Sequence, residues 1–201
     1  MCSSDLGYLR QNTVDSLTGA AYATNIGNGA PSFHFEQGAR KTVEVRLVMK
    51  GGGCENVGAQ YELPNGELGA ERDLEGVRRC VLDAVWRAQG RGCSPGVLGV
   101  CIGGDRATGQ AYAKTQFLRK LTDRSPVKVL ASLEDQLLKQ ACTLDIGPMG
   151  LKGATTLLGV KIGALCRLPA SFFVSVSYMC WAFRRRGAIF GAEGGIQRWL
   201  Y

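Results

Sequence analysis

The sequence predicts an α/β or α+β fold, a mixed sheet with interleaved helices. Three observations predict it. Segments of strand periodicity alternate with segments of helical periodicity. Glycine and proline clusters punctuate the joins between them. The 201 residues, 45% of them hydrophobic, suffice for one core and exclude a disordered chain.

Taken in order, residues 42–50 (TVEVRLVMK) come first. Val43, Val45, Leu47 and Met49 share one face, while Glu44, Arg46 and Lys50 share the other, which predicts a half-buried strand. Three glycines at 51–53 form a turn after it. Residues 59–70, with Pro64, Asn65 and two glycines, read as a loop. Residues 73–89 put Leu74, Val77, Val81, Val85 and Ala88 on one helical face. The run 95–104 (PGVLGVCIGG) is a short buried strand between breakers, and 106–121 is helical. Leu130, Leu133, Leu137, Ala141 and Leu144 have helical spacing. Residues 155–165 and 171–179 are strands.

Composition narrows the chemistry. No apolar run is long enough to span a bilayer, and no basic segment followed by an apolar one opens the chain. A cytoplasmic protein without a membrane partner is expected. Its eight cysteines, Cys2, Cys54, Cys80, Cys93, Cys101, Cys142, Cys166 and Cys180, are then reduced or metal-bound. No Cys-x-x-Cys occurs, which excludes zinc ribbons and dithiol redox motifs. His34 is the only histidine, too little for a histidine-based zinc enzyme or a Ser-His-Asp triad. Iron–sulfur ligation stays open, because its cysteines can lie far apart in sequence. The net charge of +7 raises nucleic acid as a partner. The basic residues are scattered and no aromatic-basic motif accompanies them, so no nucleic-acid partner is expected. A solvated surface, or a small acidic substrate held by a few arginines, fits better.

Four segments could carry function. The loop MKGGGCENVG (49–58) lets backbone N–H groups approach an anion, or is a plain tight turn. It matches neither a P-loop nor a dinucleotide fingerprint. In RGCSPG (91–96), Cys93 sits between a helix and a buried strand, where a thiol is more available as a ligand than Cys101 within the strand. The alternative is a small buried hydrophobe. DIGPMGLKG (145–153) lines a cavity or only connects. In SYMCWAFRRRG (177–187), Cys180 is either a core thiol before a basic surface loop, or a thiolate ligand whose charge the arginines offset.

In their order these segments resemble the iron–sulfur hydro-lyases, the class I fumarate hydratase and L-tartrate dehydratase family. The matching pieces are LRQN (9–12), KGGGCEN (50–56), GCSPGVLGVCIGGDRATG (92–109), LDIGPMGLKGATTLLGVKIG (144–163) and LPASFFVSVSYMCWAFRRRG (168–187). They cover most of the chain from about Tyr8 onward and match the N-terminal, α-type domain. IGGDRATG resembles single-chain fumarases more than tartrate dehydratases.

The resemblance implies a 4Fe–4S cluster held by three cysteines, its fourth iron open to substrate. Cys93 matches the second cluster cysteine, although Cys-Ser-Pro stands here where the family has Cys-Pro-Pro. Cys180 matches the third. The first lies in a Cys-Gln-Asp-Thr-Gly segment upstream of LRQN, and no such segment occurs in this sequence. Cys2 is a poor substitute, since MCSSDL lacks the pattern. Cys2–Leu6 is also what a common sequencing-adapter end translates to. Residues 1–6 are therefore expected to be a non-native scar, and 7–201 the α-type domain of a truncated protein.

By the same resemblance Arg10 binds a substrate carboxylate, and the Gly53 backbone contacts substrate. The catalytic base, a threonine, and further carboxylate-binding residues belong to a C-terminal domain beyond this sequence. The implied reaction is reversible hydration of fumarate to (S)-malate, with cluster iron as Lewis acid. The partners implied are a dicarboxylate substrate, the second domain or a β subunit, and a second copy in a homodimer. The chain alone is expected to be inactive. The alternatives are an α subunit of L-tartrate dehydratase and a non-catalytic remnant or basic binding protein.

Overall fold

The computed structural model describes residues 11–38 and 41–201. Cys2, Arg10 and the 1–6 segment lie outside the described residues. The chain divides into two compact units, Met1–Thr42 and Val43–Tyr201. In the first, short bridges pair Val14 with Ala21 and Gly27 with Ala30. A turn between the first pair is held by Asp15, whose carboxylate accepts from the N–H groups of Leu17 and Thr18 at 3.0 and 2.7 Å. These donors, with the Thr18 hydroxyl, hold the Asp15 carboxyl below its ordinary value.

The second unit contains seven strands and four helices among the described residues. They run β1 (Val43–Met49), α1 (Gly52–Glu55), β2 (Ala59–Glu62), α2 (Leu74–Ala88), β3 (Gly96–Ile102), α3 (Arg106–Thr115), α4 (Lys128–Thr143), β4 (Leu157–Ala164), β5 (Phe173–Met179), β6 (Arg184–Phe190) and β7 (Ile196–Trp199). The strands form two sheets. One has the order β2-β5-β3-β4, with β3 and β4 parallel and the other pairs antiparallel. The other, β1-β6-β7, is antiparallel. Helices and a mixed sheet do interleave, as the alternating periodicities predict.

β3 is buried along its whole length, as an apolar strand between two partners should be. Gly99 lets α3 close on it. A Cβ there would lie 2.1 Å from the Ala113 carbonyl oxygen, so only glycine admits this helix-to-strand approach. α2 begins at Asp73, whose carboxylate accepts from the Gly76 N–H at 2.7 Å. Asp73→Ala is expected to lose about 1 kcal/mol of stability, read as a lower urea midpoint with an unchanged slope. Val77, Val81, Val85 and Ala88 are buried on the predicted face of α2.

Four segments differ from the sequence-based expectation. β1 is a strand, but Val43, Val45 and Leu47 are 63%, 49% and 48% exposed, so it is not half-buried. It stands at the edge of a three-stranded sheet with β6 as its one neighbour. β2 occupies part of the expected loop. Four residues are too few to show a period, and it is pairing with β5 that makes them a strand. The helix expected to reach residue 121 ends at Thr115 and tightens into a 3-10 turn over Gln116–Leu118. The three arginines 184–186 open β6 instead of forming a loop. Arg184 and Arg186 face water. Arg185 turns inward, donating to the Phe117 carbonyl at 2.7 Å and to that of Arg119. It lies over the rings of Tyr201 and Phe183 at 4.4 and 4.9 Å.

Among the described residues no helix is long and apolar enough to cross a membrane.

Candidate functional site

Three chain segments converge at the C-terminal end of β5. β5 antiparallels β3, pairing Val97 with Met179 and Leu98 with Tyr178. This brings Cys180, just after β5, beside the turn that precedes β3. Cys93 ends that turn in the left-handed region, with φ 56° and ψ 59°. The Trp181 N–H donates to the Cys93 carbonyl at 3.5 Å, tying the two segments together. The third segment is α1, which follows β1 through Lys50 and Gly51. It packs against both the turn over Gln89–Gly92 and β5.

Cys93 and Cys180, the two candidate ligands in the described residues, are thus brought together. Both are partly exposed. A third thiol joins them. Cys54 in α1 is 1% exposed, donates to the Gly51 carbonyl at 3.1 Å, and interacts with the Cys180 thiol. Reading the sequence segment by segment missed Cys54 as a partner of the other two. The signal was the cysteine inside the glycine loop KGGGCEN. Gly53, beside Cys54, is exposed, and a Cβ on it would lie 3.6 Å from the Arg91 carbonyl oxygen, so this glycine also faces the Cys93 turn.

Tyr178 lies close enough to Cys54, Cys93 and Cys180 to feel all three sulfurs electrostatically. Its ring is 2% exposed and its hydroxyl has no hydrogen-bond partner. Burial, then the Cys54, Cys93 and Cys180 sulfurs, push the phenol well above its ordinary value, so it stays protonated. Burial also pushes the Cys180 thiol up; the Ala182 N–H pulls it back, and Cys54 and Cys93 push it further. The remaining thiols are elsewhere. Cys80 in α2 and Cys101 in β3 are core residues, raised to about 11 chiefly by burial and unreactive near neutral pH. All seven cysteines among the described residues are free.

Charge near the loop is balanced locally. Glu55 pairs with Lys50 and Lys114, both at 2.5 Å. Burial pushes its carboxyl up, but the two ammonium groups outweigh burial and hold it below the ordinary value. Arg185 is committed to the Phe117 and Arg119 carbonyls. The larger surface groove, walled by Lys120, Phe183, Arg184, Arg186 and Trp199, has none of the three thiols in its lining.

The donor set fits an iron–sulfur cluster. Thiolates are the ligands such clusters take, and the orphaned Tyr178 hydroxyl is a buried donor in need of an acceptor such as a cluster sulfur. Among the described residues no three His, Cys, Asp or Glu side chains close on a single metal ion.

A mixed α/β domain that brings thiols from three distant segments close together is the fold and site that the comparisons must account for. The chain belongs to the fumarate hydratase (Fumerase) family, whose model matches residues 3–189. It is 52% identical over 199 residues to a putative class I fumarate hydratase of Geobacillus stearothermophilus, covering 97% of this chain and 39% of that protein. It is 35% identical over 179 residues to a putative L(+)-tartrate dehydratase subunit alpha of Methanocaldococcus jannaschii, covering 88% of this chain and 61% of that one. The L(+)-tartrate dehydratase subunit alpha of Escherichia coli K12 is 31% identical over 178 residues, covering 88% and 57%. The chain therefore spans about two fifths to three fifths of the length of these relatives.

Proposed function

We propose that this chain is the cluster-bearing part of a 4Fe–4S hydro-lyase that interconverts fumarate and (S)-malate. One observation carries the reading: Cys93 and Cys180, far apart in sequence, meet beside a buried phenol that has no partner. The similarity to a class I fumarate hydratase supports fumarate as the substrate class. When bound, the cluster supplies a Lewis-acidic iron that polarises a substrate oxygen.

The chain's own residues bind and orient. Cys93 and Cys180 hold the group through sulfur. Tyr178 offers it a proton donor from a sealed position, the kind of contact that tunes a metal centre. Gly53 presents an exposed backbone next to the thiols, where a carboxylate can approach without meeting a side chain. As the resemblance implies, Arg10 binds a substrate carboxylate through a bidentate guanidinium. A proton-abstracting base and further cations come from a second domain or subunit, and residues 7–201 are the α-type domain to which it docks. Reduced thiols and a homodimer in the cytoplasm complete the reading.

Anaerobic incubation of the chain with iron and sulfide tests this. The protein is expected to turn brown and to hold iron and acid-labile sulfide. Cys93→Ala and Cys180→Ala are each expected to lose both. Colourless, iron-free protein after reconstitution would refute the reading. The similarity to tartrate dehydratase α subunits favours a second reading, with tartrate as substrate and a β subunit as partner. Assaying the completed enzyme on both substrates separates the two.

A further inference from the structure

We propose that Glu55 is a positioning residue for the substrate: its carboxylate grips Lys50 on one side and Lys114 on the other, and so fixes the Gly53 backbone where a substrate carboxylate is received. The inference deepens the functional reading and rests on it for the identity of the substrate. Glu55 acts through the loop and makes no contact of its own with the substrate.

Three observations carry the proposal. The first is how little else holds the loop. Gly51, Gly52 and Gly53 bring no side chains to pack, and glycine has the most backbone freedom to lose. α1 is four residues long and starts without a side-chain cap. Its turn is closed by the Glu55 N–H on the Gly51 carbonyl at 3.1 Å and the Asn56 N–H on the Gly52 carbonyl at 3.0 Å. A single turn of this kind is marginal by itself.

The second is the geometry of the grip. Lys50 stands before the glycines and Glu55 after Cys54, so their ion pair at 2.5 Å closes the loop on itself. Lys114, in the last turn of α3, takes the other carboxylate oxygen at 2.5 Å. It ties the closed loop to a helix that packs against β3 and β5. The Lys50 side chain is only 12% exposed, so its ammonium is held in place rather than free to wander. The third observation is charge. A lone carboxylate beside this loop would repel a dicarboxylate. Here two ammonium groups face one carboxylate, which leaves one positive charge in excess. Glu55 therefore holds the loop without turning the site against an anion.

The test has two arms. Amide hydrogen exchange is followed in the 201-residue chain and in its Glu55→Ala, Glu55→Gln and Lys114→Met variants, and in the Glu55→Ala/Lys114→Met double variant. Exchange over residues 50–56 is expected to quicken at least about threefold in Glu55→Ala. Glu55→Gln keeps the size and a carbonyl acceptor, so its effect is expected to be smaller. The double variant is expected to exchange as Glu55→Ala does, since the bond to Lys114 is already lost. Circular dichroism checks each fold, and Glu55→Gln carries the test should the alanine variant unfold.

The second arm measures fumarate hydration by the cluster-loaded enzyme completed with its second domain. Misplacing a positioned group by about 1 Å can cost up to about a hundredfold. The KM for fumarate is expected to rise about tenfold or more in Glu55→Ala, with kcat, iron and sulfide near wild type. A merely structural role would lower the iron content or the melting midpoint and leave KM unmoved. Wild-type exchange over 50–56 in both Glu55 variants overturns the inference, as does a wild-type KM in a variant whose loop exchanges faster. A wild-type enzyme that holds no cluster and hydrates no fumarate overturns the functional reading and this inference together.

Discussion

Glu134→Ala will lower the stability of the Val43–Tyr201 unit by about 3–5 kcal/mol. Glu134 lies in the middle of α4 with its side chain 5% exposed. One carboxylate oxygen accepts from Arg119 at 2.6 Å and from the Ile162 N–H in β4 at 2.7 Å. The other accepts from the Ser125 N–H at 3.2 Å. Its negative charge offsets a guanidinium that is only 19% exposed. Truncation leaves that charge served mainly by the more exposed Asp123 at 3.1 Å, and leaves a buried strand N–H without an acceptor. Glu134→Gln separates the two effects. It keeps an acceptor for Ile162 while removing the charge, so its loss is expected to be smaller than that of the alanine variant. Urea unfolding followed by circular dichroism measures both. Equal midpoints for Glu134→Ala and the wild type would show that the ion pair contributes nothing.

Gly96→Ala will disable the thiol site without touching a thiol. A Cβ at Gly96 would lie 2.3 Å from the Tyr178 ring and 2.5 Å from its hydroxyl oxygen. The ring is sealed, so it cannot swing aside without opening the core. The overpacking is expected to cost about 1–3 kcal/mol. Relief has two routes: the ring is displaced along β5, or the β3 end and the Cys93 turn move away from it. Either route changes the spacing of Cys93 and Cys180. Reconstituted Gly96→Ala protein is therefore expected to hold much less iron than wild type at matched helix content. Wild-type iron in a folded Gly96→Ala variant would show that Tyr178 does not set the geometry of the thiols.

The alternating periods made most elements legible. The apolar faces of α2 and α4 and the buried run of β3 come from local pattern alone, because burial on one side of a helix or both sides of a strand marks the sequence directly. β2 was not legible, because four residues carry no period and its strand character lies in pairing with β5. The arginines of β6 read as a loop because charge usually means water. Here alternation lets Arg184 and Arg186 reach solvent while carbonyls and aromatic rings receive Arg185. Within the site, Cys93 and Cys180 could be singled out through motif order. Cys54 could not, since only the packing of α1 on the Gln89–Gly92 turn and β5 shows which thiols it meets. Arg10 lies outside the described residues.

The convergence of α1, the Cys93 turn and the end of β5 has a thermodynamic side. The Cys93 and Cys180 thiols are separated by a long stretch of chain, so a group bonded to both, as proposed, would close a large loop. In the unfolded chain the same closure carries a conformational entropy cost that grows with loop length. A ligand with that preference acts as a removable staple, adding stability to the folded form in proportion to its occupancy. If the proposed cluster binds there, assembly of the domain and loading of the cluster become one linked equilibrium. Loss of that cluster would then also loosen the junction of the segments that hold it.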